Sequence, residues 1–289
     1  MADNLWLGND SGNEGDVNVA ANWSINVPIA GENLYFRESS QSLTSNLNAL
    51  TGIDFDDVHF EQSFTGSIND GSDSYFLFEC DNLYIGAHDG AGTPGGSGKL
   101  LLNIEAKAAS VYIYNTGTSS DANNPAVRLL CNNAADVVHV IKGSVGIAKK
   151  YGETATLATL NIGYDKNQRA DANVVLGSGV TVTTILKTGS MLTTRAGATT
   201  LTHHAGELIT EGAGAITNLY SVGGSLTLNS SGTIGTLTIL GGTEVDFTRS
   251  TVAKTVTNCT NYGGKIRYDD AIVTFTNAPA SDQVITLTV

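Results

Sequence analysis

Basic side chains are almost missing from the first third of this chain. Arg37 is the only Lys or Arg before position 99, against 15 Asp and Glu, giving −14; residues 99–289 hold 13 acidic and 14 basic groups, giving +1. Binding to a nucleic-acid backbone needs clustered Lys and Arg, so nucleic acid is excluded as a partner of the acidic segment. Such a segment suits solubility, a cation or a basic partner surface. Cysteine is also sparse: Cys80, Cys131 and Cys259 are odd in number and far apart. They form no CxxC pair, no zinc spacing and no disulfide framework, so they read as reduced, buried small residues. No run of 18 apolar residues occurs, which excludes a membrane-spanning helix. The first residues, Met1-Ala2-Asp3-Asn4-Leu5-Trp6, lack the basic and apolar regions of a secretory signal, so folding in a cytoplasm is expected. Charged residues make up only 15% and prolines number 4, while Gly, Thr, Ser and Asn abound. That composition belongs to a strand-rich chain with many turns.

What is present in excess is glycine on a beat. Gly189, Gly206, Gly223-Gly224, Gly241-Gly242 and Gly263-Gly264 follow one another at about 17 to 22 residues, and Gly197, Gly214 and Gly232 mark a second position in the same units. Between them lie alternating runs such as Ser225-Leu226-Thr227-Leu228, with one face for a core and one for water. A period of this length means a solenoid, and alternation makes it a β-solenoid. The expectation is an all-β fold: a single-stranded, right-handed parallel β-helix. It is most regular over 179–264 and occupies 99–289, with residues 1–98 as an irregular, acidic, aromatic-rich capping or attachment region. The boundary falls on the strongest breaker, residues 87–98, where glycine crowds the chain and the charge balance changes.

The opening segment carries three motifs: Trp6-Leu7-Gly8, then Asn22-Trp23-Ser24, then Val27-Pro28-Ile29-Ala30-Gly31-Glu32-Asn33-Leu34-Tyr35-Phe36. This W-x-G, N-W-S, V-P-x-x-G-E pattern resembles the N-terminal element of secreted bacterial β-helix passengers and of phage or planctomycete β-solenoid proteins. The resemblance covers about residues 5–36 and concerns architecture. It implies a virion-associated or surface-type solenoid. Physically, Trp6, Trp23, Tyr35 and Phe36 suit an N-terminal cap, because the first coil of a solenoid exposes an apolar cross-section.

Candidate chemistry is thin. Asp54 and Asp56 would share one face of a strand and form a weak calcium candidate, without any calcium-loop signature. His203 and His204 are adjacent, so a strand sends them to opposite sides; one is expected exposed and the other at a turn. His59, His88 and His139 stand apart from Cys and from each other in sequence. Polysaccharide hydrolysis needs two carboxylates about 5–9.5 Å apart, and the regular coils offer only Glu207 with Glu211 and Glu244 with Asp246. No aromatic row accompanies them, since Tyr220 and Phe247 are isolated in that region. The candidate contact loops span 87–98, 115–125 and 164–173, with His88, Asp89, Asn123, Asn124, Asp165 and Arg169 as their polar tips.

Three functions compete. The first is a non-enzymatic structural protein of a phage virion, a capsid decoration, knob or spike, assembled as a homotrimer on proteins such as the major capsid protein. The second is a bacterial surface adhesin or secreted passenger that binds glycans on a host surface. The third is a tailspike-like polysaccharide lyase or hydrolase. The first is expected, with no catalytic residues, no cofactor beyond the weak calcium candidate, and localisation in the virion.

Overall fold

The computed structural model describes residues 2–68, 74–87, 99–116, 124–163, 171–279 and 284–286. The chain winds as a parallel β-helix whose strands fall into two hydrogen-bonded ladders, every strand pairing being parallel. The longer ladder starts at Asp3–Leu5, passes through Asn33–Phe36, Asp54–Glu61 and Phe76–Ala87, and ends at Val273–Asn277. The second ladder starts within Phe76–Ala87, where Phe76 pairs with Leu102, and runs to Val284–Thr286. Among the described residues the only helix is the single 3-10 turn Ala20–Asn22.

The acidic first third is not a separate body. Leu83 pairs with Val111 across position 98, in the same ladder that joins Leu34 to Val58 and Val58 to Leu83. Composition changes there, but the coils do not stop. The glycine-rich residues 88–98 themselves lie outside the described residues.

Alternation explains the strands, and its interruptions explain the corners. In Val180–Lys187 the outward residues Thr183 and Thr184 follow each other, so the inward set is Val180 and Val182, then Ile185 and Lys187. The same doubled outward step occurs at Ala158-Thr159, Thr199-Thr200 and Thr217-Asn218. Two successive outward residues bend the strand around the core, giving the coil a further face without breaking the ladder.

Stacking in register converts inward positions into columns. One column runs Leu34, Val58, Leu83, Val111, Val138, Leu160, Ile185, Leu201, Leu219 and Leu237, and every member is fully buried. Two residues further along each strand is a second column, starting with Phe36, Phe60, Ile85, Ile113, Val140 and Ile162. At the start of the stack, Trp6 and Trp23 meet edge-to-face at 5.0 Å and both pack on Phe36, at 6.4 and 5.8 Å. Both indole N–H groups are satisfied, Trp6 donating to Gln41 O at 3.0 Å and Trp23 to Val17 O at 2.9 Å. Tyr35 is not part of this cluster; it alternates outward, away from its neighbours Leu34 and Phe36. The three cysteines are free and buried.

The second column then changes character. Ile162 is followed in register by Lys187, His203 and Ser221 before Ile239 restores the apolar run. All three polar members are fully buried. The Lys187 ammonium donates to Ser190 O at 2.7 Å and Ala205 O at 2.6 Å, while neither ring nitrogen of His203 makes a well-formed hydrogen bond. Two turn glycines make room for these side chains. A Cβ at Gly206 would lie 2.8 Å from Lys187 Nζ and one at Gly224 would lie 2.9 Å from His203 Nε2, and both glycines have φ near +80°. His203 is therefore an interior residue rather than a surface one, and His204 is the exposed partner at the turn.

Burial, reinforced by the positive Lys187, pushes the His203 pKa down to about 4 from the ordinary 6.5. Below pH 6.5 the unfolded chain binds a proton that the folded chain refuses, so stability falls as pH drops from 6.5 toward 4. At 1.36 kcal/mol per pKa unit the loss is about 3 kcal/mol. His203→Leu is expected to remove that part of the pH dependence, leaving the variant more stable than the parent at pH 5. Urea midpoints measured from pH 4 to 7 on both proteins check this; parallel curves would refute it.

Candidate functional site

The outward position between the two inward columns carries the chain's most organised surface feature. Tyr35, His59, Tyr84, Tyr112 and His139 are in register on five successive coils. Adjacent strands lie about 4.8 Å apart, so rings in one column must meet face to face. They do: successive centroid distances are 4.5, 4.7, 5.3 and 4.9 Å, with interplanar angles of 7°, 16°, 11° and 2°. All five are half-buried. Arg37 lies 5.1 Å over the Tyr35 ring and within 3.8 Å of Glu61.

Face-to-face stacking decides what this stripe can do. The inner rings spend both faces on each other, so they offer solvent only edges and polar tips. Burial lowers the pKa of His59 and of His139 and raises that of Tyr35 and Tyr84. Burial thus disfavours charge on these four rings, and an open ring face for stacking on a ligand is left only where the stack stops.

It stops at His139. The next members of the column are Asn161, whose Nδ2 lies 3.3 Å from His139 Nδ1, and then Leu186. Beside this step opens a groove of about 450 Å³, lined by Tyr112, Tyr114, His139, Val140, Ile141, Asn161, Ile162, Gly163, Leu186 and Thr188. Tyr114 stands two residues beyond Tyr112 on the same outward side, its ring 6.3 Å away and tilted by 13°. Gly163, at φ +118°, lets the next coil approach closely at the groove: a Cβ there would come within 2.6 Å of Thr188 Oγ1 and Gly189 N.

The residues singled out from sequence fall elsewhere. Asp54 is met by Lys107, whose Nζ is 2.5 Å from Asp54 Oδ1 and 2.7 Å from Asp81 Oδ1. Asp56 is half-buried beside Asp57 at the corner of its strand, and among the described residues no three His, Cys, Asp or Glu are grouped to hold a metal. Glu211 pairs with Arg195 at 3.1 Å and Glu244 with Arg267 at 2.9 Å. Asp246 accepts from the Thr248 N–H and hydroxyl in a turn, and Glu207 sits half-buried on the outer face of Glu207–Thr210. Asn124 is exposed and accepts a hydrogen bond from Lys99 Nζ. His88, Asp89, Asn123, Asp165 and Arg169 lie outside the described residues. A separate half-buried tie joins distant coils: Arg128 donates to Glu153 at 2.6 Å and to Tyr75 Oη at 2.8 Å, and Tyr75 donates to Glu153 at 2.6 Å.

The aromatic column is not apparent along the chain, where His59 and His139 stand apart from each other. A signal exists: Leu34-Tyr35-Phe36, Val58-His59-Phe60, Leu83-Tyr84-Ile85, Val111-Tyr112-Ile113 and Val138-His139-Val140 share the form aliphatic, Tyr or His, apolar. The fold and this stripe define a parallel β-helix with an aromatic outer spine. Comparison of the chain with family models, with curated proteins and with solved structures gives no match.

Tyr84 stacks on both sides, so Tyr84→Ala breaks the spine at its centre. Aromatic pairs are worth about 0.5–1.5 kcal/mol each beyond area burial, which predicts a loss of about 1–3 kcal/mol. Urea denaturation of the purified variant measures it. Tyr220→Ala, on the exposed stretch of the same column, should cost less than about 0.5 kcal/mol.

Proposed function

We propose that this chain is a non-enzymatic structural protein, a stiff β-helical projection of a phage virion such as a capsid decoration, knob or spike. The observation that carries the reading is the continuity of the stack. One hydrophobic cluster extends from Trp6 to Val273, and the acidic and neutral parts of the chain share one hydrogen-bonded ladder. Such a stack resists bending, because each coil is tied to its neighbours by main-chain hydrogen bonds along its strands. The virion setting rests on the resemblance of residues 5–36 to the opening element of phage and surface-type solenoids.

The non-enzymatic part of the reading is supported by what the candidate carboxylates do. Glu211 and Glu244 are held in surface ion pairs and Asp246 in a turn. A tailspike-like lyase or hydrolase would need such groups aimed together at a substrate cleft. The projection is a homotrimer, closed by cyclic symmetry, and docks on other virion proteins, the major capsid protein among them. A bacterial surface adhesin remains the alternative setting for the same rod.

Mass analysis of purified virions tests the proposal. The chain should be found at a fixed copy number that is a multiple of three, and native mass spectrometry of the isolated protein should give a trimer. Its absence from virions, or recovery only from bacterial surface fractions, would move the assignment to the adhesin.

A further inference from the structure

We infer that the groove at the end of the aromatic spine is a binding site for a neutral hexopyranose unit of a glycan. The inference goes beyond the projection reading and does not depend on it: a virion rod can lack a sugar site, and a sugar-binding rod can belong elsewhere.

The groove is built by two neighbouring columns. One is Tyr112, His139, Asn161 and Leu186, and the other is Tyr114, Ile141, Gly163 and Thr188, the next position but one on the same coils. Main-chain hydrogen bonds hold the second column in register: Tyr114 N donates to Ile85 O at 2.9 Å, Gly163 N to Val140 O at 3.0 Å and Thr188 N to Ile162 O at 2.8 Å. The walls therefore rest on the rigid ladder, which is the condition for a preformed site. A volume of about 450 Å³ suits a small ligand or one or two units of a chain.

The lining selects the ligand class. Ring and aliphatic surface from Tyr114 and Leu186 lies beside the Asn161 amide, whose Nδ2 faces His139 Nδ1 at 3.3 Å, and the Thr188 hydroxyl, which donates to Ile162 O at 3.3 Å and keeps its acceptor lone pairs. A ligand that fits must present an apolar face and a hydrogen-bonding rim together, and a pyranose does so with its C–H face and its hydroxyls. Among the described residues no lining side chain is Asp, Glu, Lys or Arg, and burial disfavours the charged form of His139. An anionic sugar or a phosphate would meet no compensating charge from these described residues, in a chain whose net charge is −13. A flat heterocycle is disfavoured for a separate reason. Sandwiching one needs two opposed open ring faces, and the parallel rings of Tyr112 and His139 are already closed on each other at 4.9 Å.

The test uses the purified full chain and saturation-transfer NMR with calorimetry. The probes are methyl glycosides and disaccharides of glucose, galactose, mannose and N-acetylglucosamine, with methyl glucuronide and uridine as charged and flat counterparts. At least one neutral probe is expected to bind with a Kd on the order of millimolar, as suits a small ligand. Tyr114→Ala and Asn161→Asp should each weaken that binding about tenfold, with Tyr220→Ala as the unaffected control. Asn161→Asp conserves side-chain shape, so an unchanged urea midpoint separates lost recognition from lost fold. The inference is overturned if no neutral probe saturates, if both groove variants bind as the parent does, or if glucuronide or uridine binds as tightly.

Discussion

Parallel hydrogen bonding between successive coils is the constraint from which the other features follow. Each coil is held about 4.8 Å from the next, so any position that repeats in register becomes a column of side chains at that spacing. Leucine and valine in such a column form a continuous core, as from Leu34 to Leu237. Aromatic rings in such a column have only one arrangement open to them, the face-to-face stack from Tyr35 to His139. The same spacing forbids a side chain at close backbone contacts. At Gly214 and Gly232 an added Cβ would lie within 2.3 and 2.0 Å of the neighbouring coil's main chain.

The columns also show where the fold departs from uniform repetition. Inside, the run from Phe36 to Ile162 gives way to Lys187, His203 and Ser221, three polar groups in a place made for apolar ones. Lys187 satisfies its ammonium on two carbonyls of the adjoining turns, and His203 tolerates burial by staying neutral. Outside, the stack gives way to Asn161 and Leu186 at almost the same level of the helix. The shift from ring to smaller side chain opens the groove. Both transitions fall where the long, irregular coils meet the short, glycine-marked ones.

Charge is arranged by the same logic. Lys107 follows the acidic third in sequence yet folds back onto Asp54 and Asp81, because its coil stacks on theirs. The excess of acidic groups before residue 99 is therefore partly balanced by basic groups that come after it. Arg195–Glu211 and Arg267–Glu244 are likewise pairs between coils, solvent-exposed and worth little individually.

Much of this was legible along the chain. Alternation in segments such as Ser225–Leu228, together with the glycine beat, determined a stack of parallel strands, because strand faces and turns are local properties of neighbouring residues. Doubled polar positions such as Thr199-Thr200 are visible in the sequence as well, although their meaning as corners is not. The aromatic spine was hidden because Tyr35, His59, Tyr84, Tyr112 and His139 stand 24, 25, 28 and 27 residues apart, loops of unequal length having erased the period. His203, a lone polar residue at a strand end, looks solvent-facing until Lys187 and Ser221 are aligned with it in the buried column. The sequence by itself determined which residues alternate and where the chain turns. Only the tertiary structure decided which of them share a column, because that depends on how much chain each loop takes up between one coil and the next.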